Sequence, residues 1–339
     1  MAAVIERPQV PSGPWLICGL ARSGQAAAKL LASRNETVVA VDSASPEGAG
    51  RLSETGVDVH LDTSGEEFVA NAAVLLKSPG VPSHAPAVSV ARERGLPVIG
   101  ELELGWRLTE GPVTAVTGTN GKTTVTELIG HLIRSAGLSC AVVGNVGRPV
   151  CELPGTDEAR GRIIVEASSF QLEDAPTFAP DVAVLLNLGE DHVDRHGSVG
   201  AYHEAKLSMF GRQPSSAVAV VPAGPGPWTS RGDAERVTFG PDDADLSTLG
   251  GAIRWRGQEF ARVEDIKVPG LHNIRNAEAA CAAAIANGVP VEALAAGLRS
   301  FEGVSHRLEL VADSNGVRWY NDSKATNVGS TLTALASVE

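Results

Sequence analysis

The chain has 339 residues, of which 43% are hydrophobic and 20% charged, and its net charge is −12 at pH 7. That length points to about two domains, with a core large enough to need no disulfide or metal staple. A sequence-independent grip on nucleic acid needs surplus Lys and Arg and stacking aromatics. The acidic balance and 4% aromatic content argue against that role and against an anionic membrane surface.

The first ten residues show no basic segment followed by an apolar one, and no run of about 18 apolar residues exists. A cytoplasmic location is expected. Cys18, Cys140, Cys151 and Cys281 include no C-x-x-C pair, so a zinc or redox motif is not supported. Cys18, Cys140 and Cys281 sit in apolar runs and read as small buried hydrophobes.

In chain order, short β-branched runs each precede a helical stretch. Trp15–Cys18, Thr37–Val41 and Val74–Leu76 come first. Val113–Thr117, Ala141–Val143, Ile163–Glu166, Val182–Asn187 and Ala217–Val221 follow. Continuous apolar strands between helices mark parallel sheets covered on both faces. The expected class is α/β, with two doubly wound domains. A helix ending in Gly-Pro puts a boundary near Glu110-Gly111-Pro112. Residues 222–227 read as a loop, and 250–268 as short antiparallel strands. An Ala-rich helix is expected from about Asn273 to Ala286, then a linker at Gly303-Val304-Ser305. The last 35 residues, Ser305 to Glu339, carry strand signals at Leu308–Val311 and Val317–Tyr320 and a helix start at Ser330. A piece that small rarely folds alone, so it reads as the opening of a third, incomplete domain.

Two glycine loops carry the chemistry. Gly19-Leu20-Ala21-Arg22-Ser23-Gly24 follows a strand and opens a helix, and Asp42 closes the next strand. This is the layout of a nucleotide-binding βαβ unit, in which helix N-terminal amides face a pyrophosphate and the acid faces a sugar hydroxyl. The loop alone also fits a ligand-free tight turn or a dinucleotide oxidoreductase. The second loop runs Gly118-Thr119-Asn120-Gly121-Lys122-Thr123-Thr124. Gly121 admits phosphates to the backbone, Lys122 supplies a point charge, and Thr123 offers a hydroxyl to Mg²⁺. The general P-loop pattern wants glycine at position 116, where this chain has Val116.

Glu166 ends a strand beside that crevice, where a second Mg²⁺ ligand is expected. His192 and His196 are four apart, but Val193 occupies the position where a zinc protease needs Glu. Lys206, with partly apolar neighbours, reads by itself as an ordinary snorkelling lysine.

Together these segments resemble the Mur ligases, the ATP-dependent amide-forming enzymes of peptidoglycan and cell-wall synthesis. The resemblance rests on the second loop from Thr117 to Thr124, which is that family's own form and accounts for Val116. Further blocks are Gly144-Asn145-Val146-Gly147, Glu166 to Glu173, Glu190 to Arg195, Leu271 to Ala277, and Ser305-His306-Arg307. Ser168 to Glu173 and Asn321 to Asn327 resemble the D-glutamate-adding branch. The resemblance runs from about Trp15 to the last residue.

It implies three units. Residues 1–110 are a Rossmann-like domain for the UDP end of the substrate, 111–304 an ATP-binding P-loop domain with a parallel and a small antiparallel sheet, and 305–339 the start of a Rossmann-like ligase domain. Gly19, Ala21, Arg22, Ser23, Gly24, Asp42, Ser78, Pro79 and Gly80 then surround uridine and pyrophosphate. Asn145 and Gln171 lie toward the muramoyl-alanine end, and His192 also belongs to the UDP-substrate set. Gly118, Thr119, Asn120, Gly121, Lys122, Thr123 and Thr124 hold ATP phosphates, Asn273 and Asn276 the adenine side, and Arg307, Asp322 and Lys324 further nucleotide groups. Thr326 faces D-glutamate. Two Mg²⁺ ions are implied, one on Thr123 and Glu166, the other on His192 and a Lys206 carried as its CO₂ adduct. Lys122, Glu166, His192 and Lys206 form the implied catalytic set. The implied partners are the UDP-muramoyl-alanine substrate and D-glutamate, taken by a monomer. If the third domain is missing, little turnover is expected from this chain. The alternatives are another amide-forming Mur ligase, or a nucleotide-binding module without activity, favoured only if the short length is natural. An NAD-dependent oxidoreductase rests only on the first loop and Asp42.

Overall fold

The computed structural model describes residues 4–241, 243–268, 270–325 and 328–337. The N-terminal part alternates β1 (Trp15–Cys18), α1 (Arg22–Ser33), β2 (Val38–Val41), β3 (Asp58–His60), β4 (Val74–Lys77), α2 (Pro86–Glu93), β5 (Val98–Gly100) and α3 (Glu101–Leu108). Its five strands lie in the order β3-β2-β1-β4-β5, all parallel. Period-two alternation divides them between two apolar layers. Trp15, Ile17, Val38, Ala40, Val74 and Leu76 pack on one face with α1, while Leu16, Cys18, Val41 and Leu75 pack on the other with α2. Both glycine-loop strands therefore sit inside covered sheets, as expected. β3 and β5 were not expected: each is three residues long, too short for a periodic signal.

The central part continues with β6 (Val113–Thr117), α4 (Lys122–Ser135), β7 (Cys140–Gly144), β8 (Arg162–Glu166), α5 (Ser169–Glu173) and β9 (Val182–Leu185). Then come α6 (Val193–His196), α7 (Val199–Leu207), β10 (Val218–Pro222) and β11 (Glu235–Gly240). β12 (Leu246–Leu249), β13 (Ala252–Trp255) and β14 (Gln258–Arg262) precede α8 (Leu271–Ala286) and α9 (Val291–Ser300). These strands make one nine-stranded sheet, β14-β13-β12-β11-β10-β9-β6-β8-β7. Pairing is parallel from β7 to β12 and antiparallel across β12-β13-β14, so the antiparallel strands extend the parallel sheet at one edge. On one face α4 packs on the alanine stretch of α8, whose Ala277 to Ala284 are all buried. Small side chains let the two helices approach closely over Val116 and Val184.

After α9, β15 (Glu309–Ser314) and β16 (Val317–Asn321) form an antiparallel hairpin, followed by α10 (Val328–Leu335). Asn315 and Gly316 turn the hairpin with φ of +52° and +76°, the pairing that a two-residue mirror-image turn demands. Thr326, expected on the D-glutamate side, lies outside the described residues. Cys18, Cys151 and Cys281 are buried, but Cys140 is only half-buried, because it starts an edge strand. Among the described residues, no helix is long and apolar enough to cross a membrane.

Candidate active site

The second glycine loop joins β6 to α4, with β8 and β9 on either side of β6. Gly121 caps α4 at φ +87°, and a Cβ there would stand 2.6 Å from Asn276 Oδ1. Only glycine satisfies both the left-handed backbone and that approach. The loop is held from outside by Asn187, whose Oδ1 accepts from Thr119 N at 3.1 Å and Asn120 N at 2.9 Å. Thr119 Oγ1 accepts from Gly189 N at 2.8 Å and from the Tyr202 hydroxyl at 3.3 Å. Asn187 and Tyr202 were not anticipated as parts of the site. An Asn at a strand end followed by Leu-Gly was the available signal for the first; Tyr202 gave none.

Lys122 Nζ donates to Gly118 O at 2.9 Å and Thr119 O at 2.8 Å. Burial lowers its pKa, against the pull of Glu166. Lys206 Nζ donates to Gly118 O at 2.8 Å and lies 4.4 Å from the centre of the Tyr202 ring. It does not snorkel: it is 1% exposed. Burial first, and the neighbouring Lys122 charge second, push its pKa down to about 6.

Glu166 ends β8, in register with Val116 on one side and Gly144 on the other. Its Oε1 accepts from Asn145 Nδ2 at 3.0 Å. His192 stands before α6 with φ +49°, its ring 4.9 Å from Phe170. His196 contacts Ser169 Oγ through Nε2 at 3.0 Å instead of facing a metal with His192.

Most of these line one cavity of about 920 Å³, though Gly118 and His196 do not. Thr119 to Thr124, Asn145, Glu166, His192, Lys206, Asn273, Asn276, Arg307, Asp322 and Lys324 all line it. Asn276 Nδ2 donates to Asn273 Oδ1 at 3.1 Å. Arg307 Nη2 donates to Thr123 Oγ1 at 2.8 Å, which brings the last segment onto the P-loop. Asp322 Oδ1 receives the Leu308 amide at 3.1 Å. Gln171 is placed differently: it is buried, and its Oε1 accepts from Ser168 N in the capping box of α5.

The first glycine loop lies outside this cavity. A Cβ on Gly24 would fall 1.8 Å from Gly19 O, so the loop requires glycine there. Asp42 Oδ2 accepts from Leu20 N at 2.6 Å, and Ser78 Oγ donates to Gly19 O at 2.7 Å. Asp42 and Ser78 thus shape the loop itself. Arg22 Nη1 reaches across to Gly147 O at 2.7 Å. Lys77 of β4 and Asp174, at the end of α5, make a buried ion pair of 2.6 Å.

The donor set suits a hard cation in one place. The Glu166 carboxylate and Thr123 hydroxyl are oxygens at the cavity wall, as Mg²⁺ prefers. An imidazole and a free amine, His192 and Lys206, suit it less. Among the described residues, no three or more His, Cys, Asp or Glu side chains cluster as a metal cage. Mg²⁺ commonly uses one or two carboxylates with waters and substrate phosphates.

Residues 116–284 match the Mur ligase middle domain, and residues 14–100 match the Mur ligase MurD-like N-terminal domain. The UDP-N-acetylmuramoylalanine–D-glutamate ligase of Pelotomaculum thermopropionicum is 41% identical, over 95% of this chain and 74% of its own length. Among solved structures, the UDP-N-acetylmuramate:L-alanyl-gamma-D-glutamyl-meso-diaminopimelate ligase of Neisseria meningitides shares the fold with a TM-score of 0.61. It is 20% identical and covers 86% of this chain and 98% of that one. A MurF ligase of Thermotoga maritima, solved with ADP, has a TM-score of 0.54 at 17% identity, covering 96% of this chain and 72% of that one.

Proposed function

Because the chain belongs to the Mur ligase family, we propose that it joins D-glutamate to UDP-N-acetylmuramoyl-L-alanine with ATP, in peptidoglycan precursor synthesis. It is an ATP-dependent acid–amino-acid ligase that acts on small molecules. The observation that carries this reading is the convergence of Lys122, Lys206 and Glu166 on one P-loop cavity.

A free carboxylate is a poor acyl donor, because its leaving group would be an oxide. ATP removes that obstacle. The L-alanyl carboxylate oxygen attacks the γ-phosphorus, the bond to ADP breaks, and an acyl phosphate forms. The D-glutamate amine then attacks the acyl carbon, loses a proton, and phosphate leaves the tetrahedral intermediate. Catalysis of this kind is mainly positioning and charge neutralisation. Lys122 and the amides of residues 118–124 hold the phosphates. Asn273 and Asn276 serve the adenine side, and Arg307, Asp322 and Lys324 close on the nucleotide from the last segment. Asn145 fixes the Glu166 carboxylate and lies toward the muramoyl-alanine end.

Thr123 and Glu166 would hold one Mg²⁺, and a second would rest on His192 and Lys206. The ions, when bound, neutralise phosphate charge. Lys206 fits that role as a carbamate, which presents hard oxygens. The shift of its pKa to about 6 supports this, since only a neutral amine adds CO₂. Around the first loop, Gly19, Ala21, Arg22, Ser23, Gly24 and Ser78 to Gly80 take the uridine and pyrophosphate, with Asp42 supporting them. Thr326 belongs to the D-glutamate side. The working division is 1–110 for the UDP end, 111–304 for ATP, and 305–339 for a ligase unit. The enzyme acts as a cytoplasmic monomer.

A ligand panel tests the assignment, because a bound ligand stabilises the folded state. UDP-N-acetylmuramoyl-L-alanine and ATP–Mg²⁺ each raise the melting temperature, and NAD does not. Stabilisation by NAD alone would instead make the first loop a dinucleotide site.

A further inference from the structure

Arg195 ends its reach away from the cavity. It does not line it, although it stands three residues from His192. Its Nη2 donates to Pro79 O at 3.1 Å and Val81 O at 2.7 Å, and Nη1 donates to Gly80 O at 3.4 Å. Three consecutive carbonyls of the loop after β4 therefore converge on one guanidinium. Carbonyl dipoles so gathered repel one another unless a multi-donor cation lies between them, and the planar fork of Arg is suited to that. The same loop touches the first glycine loop through Ser78 Oγ, which donates to Gly19 O at 2.7 Å.

On its other side the guanidinium lies over the Phe170 ring, 4.8 Å from its centre. Phe170 packs against the His192 ring at 4.9 Å and stacks on His196 at 5.3 Å. His192 itself holds φ +49°, a left-handed conformation that a non-glycine residue keeps only when its surroundings enforce it. The Arg195 and His196 amides both donate to His192 O at 3.1 Å. The anchor of the Arg195 side chain thus fixes the one-turn helix that sets the His192 ring.

We propose that Arg195 is a positioning residue that ties the 79–81 loop to the turn carrying His192, so that occupancy of the first glycine loop is felt at the phosphoryl-transfer site. This rests on the reading of the first loop as the UDP side. A purely structural staple would hold the fold but would not pass a ligand signal to His192.

The test uses the chain with ¹⁵N-labelled histidine and amides, and UDP as probe. In wild type, UDP shifts the amides of Gly19 to Gly24 and also the His192 ring nitrogens. In Arg195→Met the His192 ring signals already differ in the free protein, and UDP no longer moves them. Arg195→Lys keeps the charge but not the fork, and guards against a folding failure of the first variant. It loses most of the His192 response. Free-protein His192 signals unchanged in both variants, or an undiminished His192 response to UDP, would overturn the positioning role. So would wild-type loop shifts with no His192 response. Absence of wild-type loop shifts would overturn the UDP assignment of the first loop instead. The free-protein comparison still decides whether Arg195 sets His192.

Discussion

Lys122 and Lys206 donate to the same carbonyl, Gly118 O, at 2.9 and 2.8 Å. They arrive from opposite sides in sequence, one from the loop's own helix and the other from α7. Burial disfavours the charged form of both, and the Lys122 charge adds to the effect on Lys206. Lys206 is pushed down to about 6. The P-loop thus gathers two buried amines, of which Lys206, at about 6, is available as the free amine at neutral pH.

Lys122 is the residue proposed to hold the phosphates. Lys122→Ala, made in the protein expressed from its entire reading frame, lowers acyl-phosphate formation by at least about 100-fold, the scale of losing one preorganised electrostatic group. The fold stays intact by circular dichroism. Near-normal phosphate release would contradict the role.

The carbamate proposed for Lys206 needs the free amine, because only that form adds CO₂. With its pKa at about 6, that form prevails at neutral pH, whereas an ordinary lysine would reach it only near 10.5. ¹³CO₂ should therefore give a lysine carbamate signal in wild type at pH 7 to 8 that fades as the pH falls below about 6. Lys206→Ala loses the signal and most activity, and short carboxylates restore part of the activity. No carbamate signal together with no rescue would remove the adduct from the site.

Glu101 makes stability depend on pH. It starts α3, and its Oε1 accepts from Cys151 N at 2.6 Å, while its Oε2 has no hydrogen-bond partner among the described residues. Burial raises its pKa from 4.5 to about 7. Between those values the folded state keeps a proton that the unfolded chain has lost. The resulting stability is full below about 4.5 and is lost as pH rises through about 7, by up to about 1.4 kcal/mol per pH unit within the window. Glu101→Gln should flatten this dependence in urea unfolding between pH 5 and 8. Parallel curves for the two proteins would contradict it.

Gly24→Ala tests the first loop. The new Cβ would meet Gly19 O at 1.8 Å and Ser78 Oγ at 2.7 Å, so the backbone must move. We expect a loss of about 1 to 3 kcal/mol in stability, the usual scale of overpacking. Calorimetric affinity for the UDP substrate should fall at least about tenfold. An unchanged affinity would take the substrate away from this loop.

The strand–loop–helix units were legible because buried parallel strands read as continuous apolar runs and phosphate loops need glycine at fixed places. Lys122, Thr123 and Glu166 followed from that local logic. The neutral state of Lys206 was not legible. Its sequence neighbours fit a snorkelling residue, and only the packing around Tyr202 and Gly118 buries it. Asp42 and Gln171 were read as facing ligand; the Asp42 carboxylate also holds the first glycine loop through Leu20 N, and the Gln171 amide holds its own turn through Ser168 N. Arg195 and its three carbonyl partners lie 114 to 116 positions apart, a contact that no local pattern announces. Short strands such as β3 and β5 escaped because three residues carry no period.

The most direct measurement is phosphate release by the protein expressed from its entire reading frame, with ATP–Mg²⁺, UDP-N-acetylmuramoyl-L-alanine and each of several amino acids. Phosphate release that requires both the UDP substrate and D-glutamate, with a product heavier by one glutamyl residue, is the predicted result. Release with another amino acid in place of D-glutamate, or none with any, would contradict the assignment.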